Sequence, residues 1–312
     1  MKADTQARGR IAPSPSGYMH LGNAFSALLA WAFARSAGGS FVLRLEDLDE
    51  RCQNPVYAKG LLDDLSWLGI DWDGEPVVQV NRVPAYEEAL ERIVSRAEIY
   101  PCFCSRADLH AASAPHASDG TPLYAGTCYS MDAHERETRA AGQRHALRLH
   151  VPDETIDFVD AIQGPYEQNL ARECGDFVLR RSDGVFAYQL VCVVDDIASG
   201  VTQVVRGSDL LSSTPRQILL YELLDAPIPE FAHHPLLLAA DGRRLSKRDG
   251  DSTIASMRER GIAPETVIGY LAQLAGQVEE AEPMSARELV GIFDASKIPT
   301  RDMTVDLSCL EA

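Results

Sequence analysis

The sequence contains no run of about twenty apolar residues, the length that a membrane-spanning helix needs. Its first ten residues, MKADTQARGR, lack the apolar middle and the small-residue cleavage site of a secretory signal. We therefore expect a globular protein in the cytoplasm, with no membrane partner. At 312 residues, the chain is long enough for two or three compact units.

Positive charge is scarce. The formal net charge of −17 argues against a surface that binds nucleic acid everywhere, because phosphates are bound by lysine and arginine, although it leaves room for a local basic patch. The chain has only four lysines, compared with twenty-five arginines. One of the four, Lys247, lies in the basic cluster RRLSKRDG. That position makes Lys247 a candidate functional residue.

Closely spaced cysteines are few, and the common nucleotide-binding motifs are missing. The seven cysteines are scattered along the chain except for one close pair, Cys102 and Cys104. This distribution is typical of a protein in a reducing compartment and not of a disulfide framework. No lysine follows a glycine, as it does in a Walker loop, and no G-x-G-x-x-G follows a strand. Nucleotide binding would therefore need another kind of phosphate-binding motif.

The first hundred residues alternate between strand and helix patterns. A short strand from Ile11 leads through a Pro/Ser/Gly loop into an apolar helix that ends at Gly38 and Gly39, and the strand FVLRLED follows. This order predicts a βαβ unit, hence a parallel sheet with ligands at the carboxyl ends of its strands. Further helices are expected near 55–68 and 84–97.

Residues 100–142 are rich in Cys, His, Ser and Pro, which predicts an irregular insertion. The strand-like runs HALRLHV, DFVLRR, FAYQLVCVVDD and VTQVVRG follow, and we expect them to resume the sheet, with Asp195 and Asp196 as structural acids at a strand end. Beyond Asp249 the pattern is helical. Pro264 opens one helix, and a capping box begins another at Ser285.

The stretch RIAPSPSGYMHLGN places His20 where the first helix should begin. A helix N-terminus presents unpaired N–H groups and a positive dipole end, so this segment suits a phosphate, and Gly22 lets the ligand approach. A lysine on the RRLSKRDG loop would stabilise charge that develops on a phosphate under attack. An ordinary turn with a surface histidine and a solvated basic loop are the alternatives.

Taken together, HLGN and LSKR are similar to the HIGH and KMSKS signatures of class I aminoacyl-tRNA synthetases, with Asn23 and Arg244 as departures. The strings RLEDLD, FAYQLVCVVDD and VVRGSDLLSSTPRQ resemble the glutamyl branch of that family. The resemblance implies an α/β fold with a Rossmann-like parallel sheet, a zinc-type insertion and a short C-terminal helical region. It implies a division into two halves of a catalytic core at 1–99 and 176–240, an insertion at 100–175, and a lysine-signature loop with a helical tail at 241–312.

The resemblance also implies roles for single residues. ATP, taken up with Mg²⁺, would be bound by His20, Gly22, Asn23, Ser246 and Lys247. His20 and Lys247 would be catalytic as glutamate attacks the α-phosphate, which gives glutamyl-adenylate and pyrophosphate. The positions that match glutamate-binding residues of the family are Arg10, Ser14, Glu46, Tyr188 and Arg206. Their chemistry is suitable, because a carboxylate pairs with a guanidinium and an ammonium pairs with a carboxylate such as Glu46.

The chain ends about sixty-five residues after Lys247, which leaves no room for the anticodon-binding region of a full-length glutamyl-tRNA synthetase. It thus resembles truncated, monomeric paralogues that activate L-glutamate without tRNA and esterify it to queuosine at the wobble position of tRNA(Asp). Three alternatives stay open. They are a truncated synthetase that charges the 3′ end of tRNA(Glu), a non-catalytic tRNA-binding module, and a small-molecule nucleotidyltransferase.

In those paralogues the insertion often holds one structural zinc ion. The residues that fit the order of its ligands are Cys102, Cys104, Tyr124 and Cys128, and sulfur-rich tetrahedral coordination suits zinc. A reduced, metal-free loop is the alternative. Rival ligands in the long stretch between Cys104 and Tyr124 are His110, His116 and Asp119. The cysteines expected to have no metal role are Cys52, Cys174, Cys192 and Cys309.

Overall fold

The computed structural model describes residues 6–105, 123–243, 245 and 252–310. In chain order the strands are β1 Arg8–Ile11, β2 Ser40–Leu45, β3 Val77–Val78, β4 Ile99–Cys102, β5 Ala146–Leu149, β6 Thr155–Asp160, β7 Gly164–Asn169, β8 Phe177–Arg180, β9 Gln203–Gly207, β10 Glu230–His234, β11 Leu237–Leu238 and β12 Met303–Thr304. The α-helices are α1 Leu21–Ser36, α2 Pro55–Trp67, α3 Val83–Val94, α4 Ala133–Gly142, α5 Leu170–Glu173, α6 Tyr188–Ala198, α7 Thr214–Leu223, α8 Ile254–Glu259, α9 Pro264–Leu274 and α10 Ala286–Ile292.

The centre of the molecule is parallel β-structure, as the βαβ pattern predicts. β1, β2 and β3 form one parallel sheet, and β9 pairs with β10 in parallel. β1 also lies along the start of β9, because the backbone N–H of Thr202 donates to the carbonyl of Arg8 at 3.0 Å. The carboxyl ends of β1, β2 and β9 therefore open toward the same side.

Helix α1 connects β1 to β2 and is buried on almost every side. His20 caps its N-terminus, and the buried residues include Phe25, Leu28 and Trp31. The large apolar core that surrounds it extends to β2, α2, α9 and α10. Two further helix starts are confirmed, since Pro264 opens α9 and Ser285 caps α10 with a complete capping box to Glu288.

The run FAYQLVCVVDD was expected to be a strand, and that prediction is wrong. Tyr188–Ala198 forms helix α6, and every residue from Leu190 to Asp196 is buried. The apolar run at 190–194 is short, and a short apolar run in a buried helix cannot be told from a buried strand by periodicity. Asp195 and Asp196 consequently lie inside the helix and not at a strand end.

The described parts of the stretch 100–142, which are 100–105 and 123–142, are less irregular than expected. The stretch begins inside β4 and ends with α4, whose N-cap Asp132 accepts from the backbone of His134 and Glu135. β5 and β8 confirm the strands HALRLHV and DFVLRR, but they pair antiparallel in the order β4-β5-β8 instead of resuming the parallel sheet. Strand pattern alone does not choose the partner. The antiparallel hairpin of β6 and β7 was not anticipated.

Across the described part of the chain, no helix is both long and apolar enough to cross a membrane.

Buried ion pairs join α6 to the strands. Asp195, fully buried, accepts hydrogen bonds from the Tyr86 hydroxyl at 2.8 Å, the Gln79 amide at 2.9 Å and the Arg82 guanidinium at 2.8 Å. The next residue, Asp196, pairs with Arg44 of β2. The Asp195 contacts hold α6 against α3 and the segment that precedes α3, and the Asp196 pair holds it against β2. Several donors are needed because a carboxylate in the interior is tolerated only when it is well paired.

Replacing Tyr86 with Phe should lower the free energy of unfolding by about 1–2 kcal/mol, because it removes one donor from the buried Asp195 carboxylate and preserves the ring. Urea unfolding followed by circular dichroism measures this loss. Tyr129→Phe is the matched control, since its hydroxyl bonds Glu98 at an exposed position, and we expect no measurable change. Equal stability of the two variants would contradict the role given to Asp195.

Candidate active site

A cavity of about 350 Å³ opens at the carboxyl ends of β1 and β9, beside the start of α1. Its lining brings together most of the residues that the sequence predicts for the site, namely Arg10, His20, Gly22, Asn23, Glu46, Tyr188 and Arg206. Ser14 is exposed and is not part of the lining. Ser246 and Lys247 lie outside the described residues.

His20 is held in a reciprocal cap at the first turn of α1. Its Nδ1 accepts from the backbone N–H of Asn23 at 3.3 Å, while the Asn23 side chain accepts from the backbone N–H of His20 at 3.4 Å. A neutral ring that accepts at Nδ1 carries its proton on Nε2, which makes Nε2 the donor. Gly22 leaves room for the ring, because a Cβ there would lie 3.1 Å from it.

Arg10 and Glu46 are anchored by one buried charge cluster. The Arg10 Nε lies 3.5 Å from Asp196, and its Nη1 donates to the carbonyl of Val205 at 3.1 Å. Arg44 pairs with Asp196 and also donates to Glu46 at 3.2 Å. Burial raises the pKa of Glu46 above its usual value, against the lowering effect of Arg44. Both side chains therefore reach the cavity from fixed positions.

Arg206, at the end of β9, is only 5% exposed and is surrounded by acceptors. Its Nε donates to His233 at 2.9 Å, and its terminal nitrogens donate to Gln217 and Thr214, both at 2.8 Å. Its Nη1 also lies 3.4 Å from the Tyr188 hydroxyl. The site thus presents two guanidinium groups and one carboxylate to the same space.

Sequence reasoning missed several residues around Arg206. Thr214, Gln217 and His233 hold its guanidinium, and Asp160 bonds His233 from behind. Thr214 and Gln217 are both part of the string VVRGSDLLSSTPRQ, but nothing in the linear pattern indicates that their side chains contact Arg206. His233 and Asp160 come from different strands and are joined only by the fold.

His234 also lines the cavity and was not anticipated. Its Nδ1 donates to the carbonyl of Pro235 at 2.8 Å, and its buried Nε2 has no hydrogen-bond partner in the described residues. Burial lowers the pKa of His234 to about 4, so the ring is neutral near pH 7 and Nε2 is an acceptor.

The lysine-bearing segment has described residues on both sides. Leu245 is buried and lines the cavity. Thr253 forms an antiparallel bridge with His20, and the next N–H, of Ile254, donates to the carbonyl of Met19 at 2.9 Å. The chain therefore leaves and returns beside the start of α1.

The candidate metal ligands form a separate cluster. The Sγ atoms of Cys102, Cys104 and Cys128 lie within 4.8 Å of one another, and the last two are 3.6 Å apart. The Tyr124 hydroxyl accepts from the backbone N–H of Cys128 at 2.7 Å, and Arg148 covers its ring. The rival ligands His110, His116 and Asp119 lie outside the described residues.

A second cavity, of about 510 Å³, lies between the end of α2 and the helices α9 and α10. It is larger than the first, but Trp67, Trp72 and Ile268 dominate its wall and none of the residues predicted for the site reaches it. We place the candidate active site in the smaller cavity, because polar groups of opposite charge converge there.

Residues 6–310 match the family model described as tRNA synthetases class I (E and Q), catalytic domain. The chain is 49% identical over 316 residues to a glutamyl-Q tRNA(Asp) synthetase from Symbiobacterium thermophilum, with 97% of each chain covered. It is 46% identical over 314 residues to the protein of that name from Nitratidesulfovibrio vulgaris, again with 97% of each covered.

Among solved structures, the chain is similar to a glutamate tRNA ligase from Elizabethkingia meningosepticum in complex with its amino acid. The TM-score is 0.84 at 28% identity, and the match covers 98% of this chain and 68% of that one. The chain therefore belongs to the class I tRNA synthetases of the glutamate and glutamine type, and within them to the family of the glutamyl-Q tRNA(Asp) synthetases.

Proposed function

We propose that this protein activates L-glutamate with ATP in the absence of tRNA and then esterifies the glutamyl group to queuosine at the wobble position of tRNA(Asp). The observation that carries the proposal is the single cavity that gathers Arg10, Arg206, Glu46 and the His20 start of α1. The relatives that carry the name glutamyl-Q tRNA(Asp) synthetase, aligned over nearly the whole chain, support this acceptor.

Glutamate brings two carboxylates and one ammonium, and the cavity offers the complementary charges. Arg10 and Arg206 would hold the carboxylates, and Glu46 would accept from the ammonium. The Tyr188 hydroxyl, 3.4 Å from Arg206 Nη1, lines the same cavity. The Asp196 carboxylate, acting against burial, raises the pKa of Arg10, so this guanidinium stays charged. Glutamine would be a poor substrate, because its amide leaves a buried guanidinium without an anionic partner.

ATP would place its phosphates at the start of α1. The helix dipole and the exposed N–H groups of the first turn attract phosphate, and His20 Nε2 would donate to it. Asn23 orients the histidine, and Gly22 keeps the approach open. Mg²⁺ would accompany the triphosphate, as is usual for hard cations and phosphate oxygens.

Lys247 and Ser246 would complete the ATP site from the lysine-bearing segment. Two described residues that flank this segment support the proposal, since Leu245 lines the cavity and Thr253 forms a β-bridge with His20. A cation there would stabilise the charge that develops as the glutamate carboxylate attacks the α-phosphorus and pyrophosphate leaves. Ser14, exposed outside the cavity lining, stays a prediction for glutamate binding.

We also propose that Cys102, Cys104, Tyr124 and Cys128 bind one structural zinc ion. Zinc–sulfur bonds of about 2.3 Å at tetrahedral angles put two sulfurs about 3.8 Å apart. The 3.6 Å between Cys104 and Cys128 matches this spacing, and Tyr124 supplies an oxygen beside them. Such a site would join β4 to the segment that precedes α4.

The acceptor can be tested with labelled glutamate, ATP and three RNA samples: tRNA(Asp) with queuosine, the same tRNA without it, and a tRNA(Glu) transcript. We expect label only on the queuosine-bearing tRNA, attached through an alkali-labile ester at the anticodon loop. Label on the tRNA(Glu) transcript would instead favour a synthetase that charges the 3′ end.

Replacing Lys247 with Ala should lower the rate of glutamate-dependent ATP–pyrophosphate exchange by about 100- to 1,000-fold, the usual cost of losing one transition-state charge partner. Binding of tRNA should persist in a filter assay. Lys59→Ala is the matched control, because Lys59 is exposed and pairs with Asp63 on the surface of α2, away from the cavity. An unchanged exchange rate in Lys247→Ala would remove the proposed role.

Metal analysis of the purified protein should find about one zinc ion per chain, as the proposed ligand set of three cysteines and one tyrosine predicts. Cys128→Ser should lose the metal and lower the melting temperature, because the site closes this part of the fold. Cys309→Ser is the control, since Cys309 is exposed and lies outside the cluster. Full zinc content in Cys128→Ser would contradict the ligand set.

A further inference from the structure

Two buried titratable side chains behind Arg206 have no part in the chemistry proposed above. Asp160 ends β6 and is 2% exposed, and His233 lies in β10 and is 0% exposed. Neither lines the cavity. They form a line from the β6–β7 turn to the guanidinium that faces the substrate space.

The hydrogen bonds of Arg206 determine the protonation of His233. Arg206 Nε–H can only donate, and it points at His233 Nε2 from 2.9 Å, so Nε2 must be an unprotonated acceptor. The proton of the neutral ring therefore sits on Nδ1, which donates to Asp160 Oδ2 at 2.5 Å. Burial lowers the pKa of His233 despite this bond, which agrees with a neutral ring.

Asp160 is itself held by the backbone. Its Oδ1 accepts from the N–H groups of Ile162, Gln163 and His233 at 3.0, 2.9 and 3.0 Å. Only Oδ2 faces the imidazole. The two carboxylate oxygens thus have different partners, and the orientation of the group is set by the main chain of the β6–β7 turn and of β10.

Arg206 retains two N–H groups that are only weakly engaged. A guanidinium has five N–H donors, and three of them make short bonds, to His233, Gln217 and Thr214. The others, one on each terminal nitrogen, lie 3.4 Å from the Tyr188 hydroxyl and from the carbonyl of Leu210. Tyr188 and Leu210 both line the cavity, so these are the donors nearest to an incoming ligand.

We propose that Asp160 and His233 are positioning residues for Arg206. Asp160 selects the Nδ1–H tautomer of His233, and that tautomer fixes the plane of the guanidinium so that one N–H on each terminal nitrogen meets a glutamate carboxylate. The inference rests on the proposed function, in which Arg206 binds glutamate. It adds that the affinity for glutamate is set by a carboxylate that never touches the substrate.

Asp160→Asn is the sharpest single change, because it preserves shape. The three backbone donors require an oxygen at Oδ1, so the new amide NH₂ takes the position of Oδ2 and donates to His233 Nδ1. The ring proton then moves to Nε2 and opposes Arg206 Nε–H. We expect the KM for glutamate in ATP–pyrophosphate exchange to rise about 10- to 100-fold, while the KM for ATP stays within about twofold.

The double variant Asp160→Asn with His233→Glu tests the direction of these hydrogen bonds. A glutamate carboxylate has only acceptor oxygens, so it can accept both from the new amide at position 160 and from Arg206 Nε–H, and the net charge of the cluster is unchanged. This double variant should therefore recover most of the glutamate KM. His233→Leu offers Arg206 no acceptor, so the KM for glutamate should be raised in this variant. A double variant as poor as Asp160→Asn, or an unchanged KM in Asp160→Asn, would overturn the proposal.

A spectroscopic readout separates this proposal from the proposed function. The ¹⁵N chemical shifts of His233 should show Nδ1–H in the wild-type protein and Nε2–H in Asp160→Asn, and identical tautomers would overturn the proposal whatever the activity. Wild-type protein that supports no exchange with glutamate would instead contradict the proposed function. Circular dichroism of each variant confirms that the fold is retained.

Discussion

The pairing of Arg44 with Asp196 is the contact on which the candidate site depends. Arg44 comes from β2 and Asp196 from α6, and both are almost completely buried. Asp196 also lies 3.5 Å from Arg10, and Arg44 donates to Glu46. The one ion pair therefore orients both the Arg10 guanidinium and the Glu46 carboxylate that line the cavity. Charges of this kind persist in an interior only when each has several partners, which explains why the cluster is so densely connected.

Much of this arrangement could be predicted from the sequence where short-range chemistry decides. His20 at the start of α1, Gly22 beside it and the capping box at Ser285 are local features, and the structure confirms their geometry. In these cases the contacting residues lie close together in the chain or follow one helical turn. The cluster of Cys102, Cys104 and Cys128 is different, because Cys128 lies 24 residues beyond Cys104 and the family resemblance, not local chemistry, led to it.

The prediction failed where burial or distant pairing decides. The middle of α6 is a short, buried apolar run, so its sequence resembles that of a buried strand. Only the charges of Asp195 and Asp196 indicate that this segment has polar partners on other elements. Asp160 and His233 are separated by 73 residues along the chain and meet through the pairing of strands around β10. No local pattern carries that information, which is why the support of Arg206 became visible only in three dimensions.

The central claim is that one cavity holds glutamate and the phosphates of ATP side by side, and a crystal structure with a sulfamoyl analogue of glutamyl-adenylate tests it most directly. The account predicts the glutamyl carboxylate within hydrogen-bond distance of Arg206 and the sulfamoyl group at the first turn of α1, beside His20. An analogue bound instead in the larger cavity near Trp67 and Trp72, or with its glutamyl group turned away from both arginines, would contradict it.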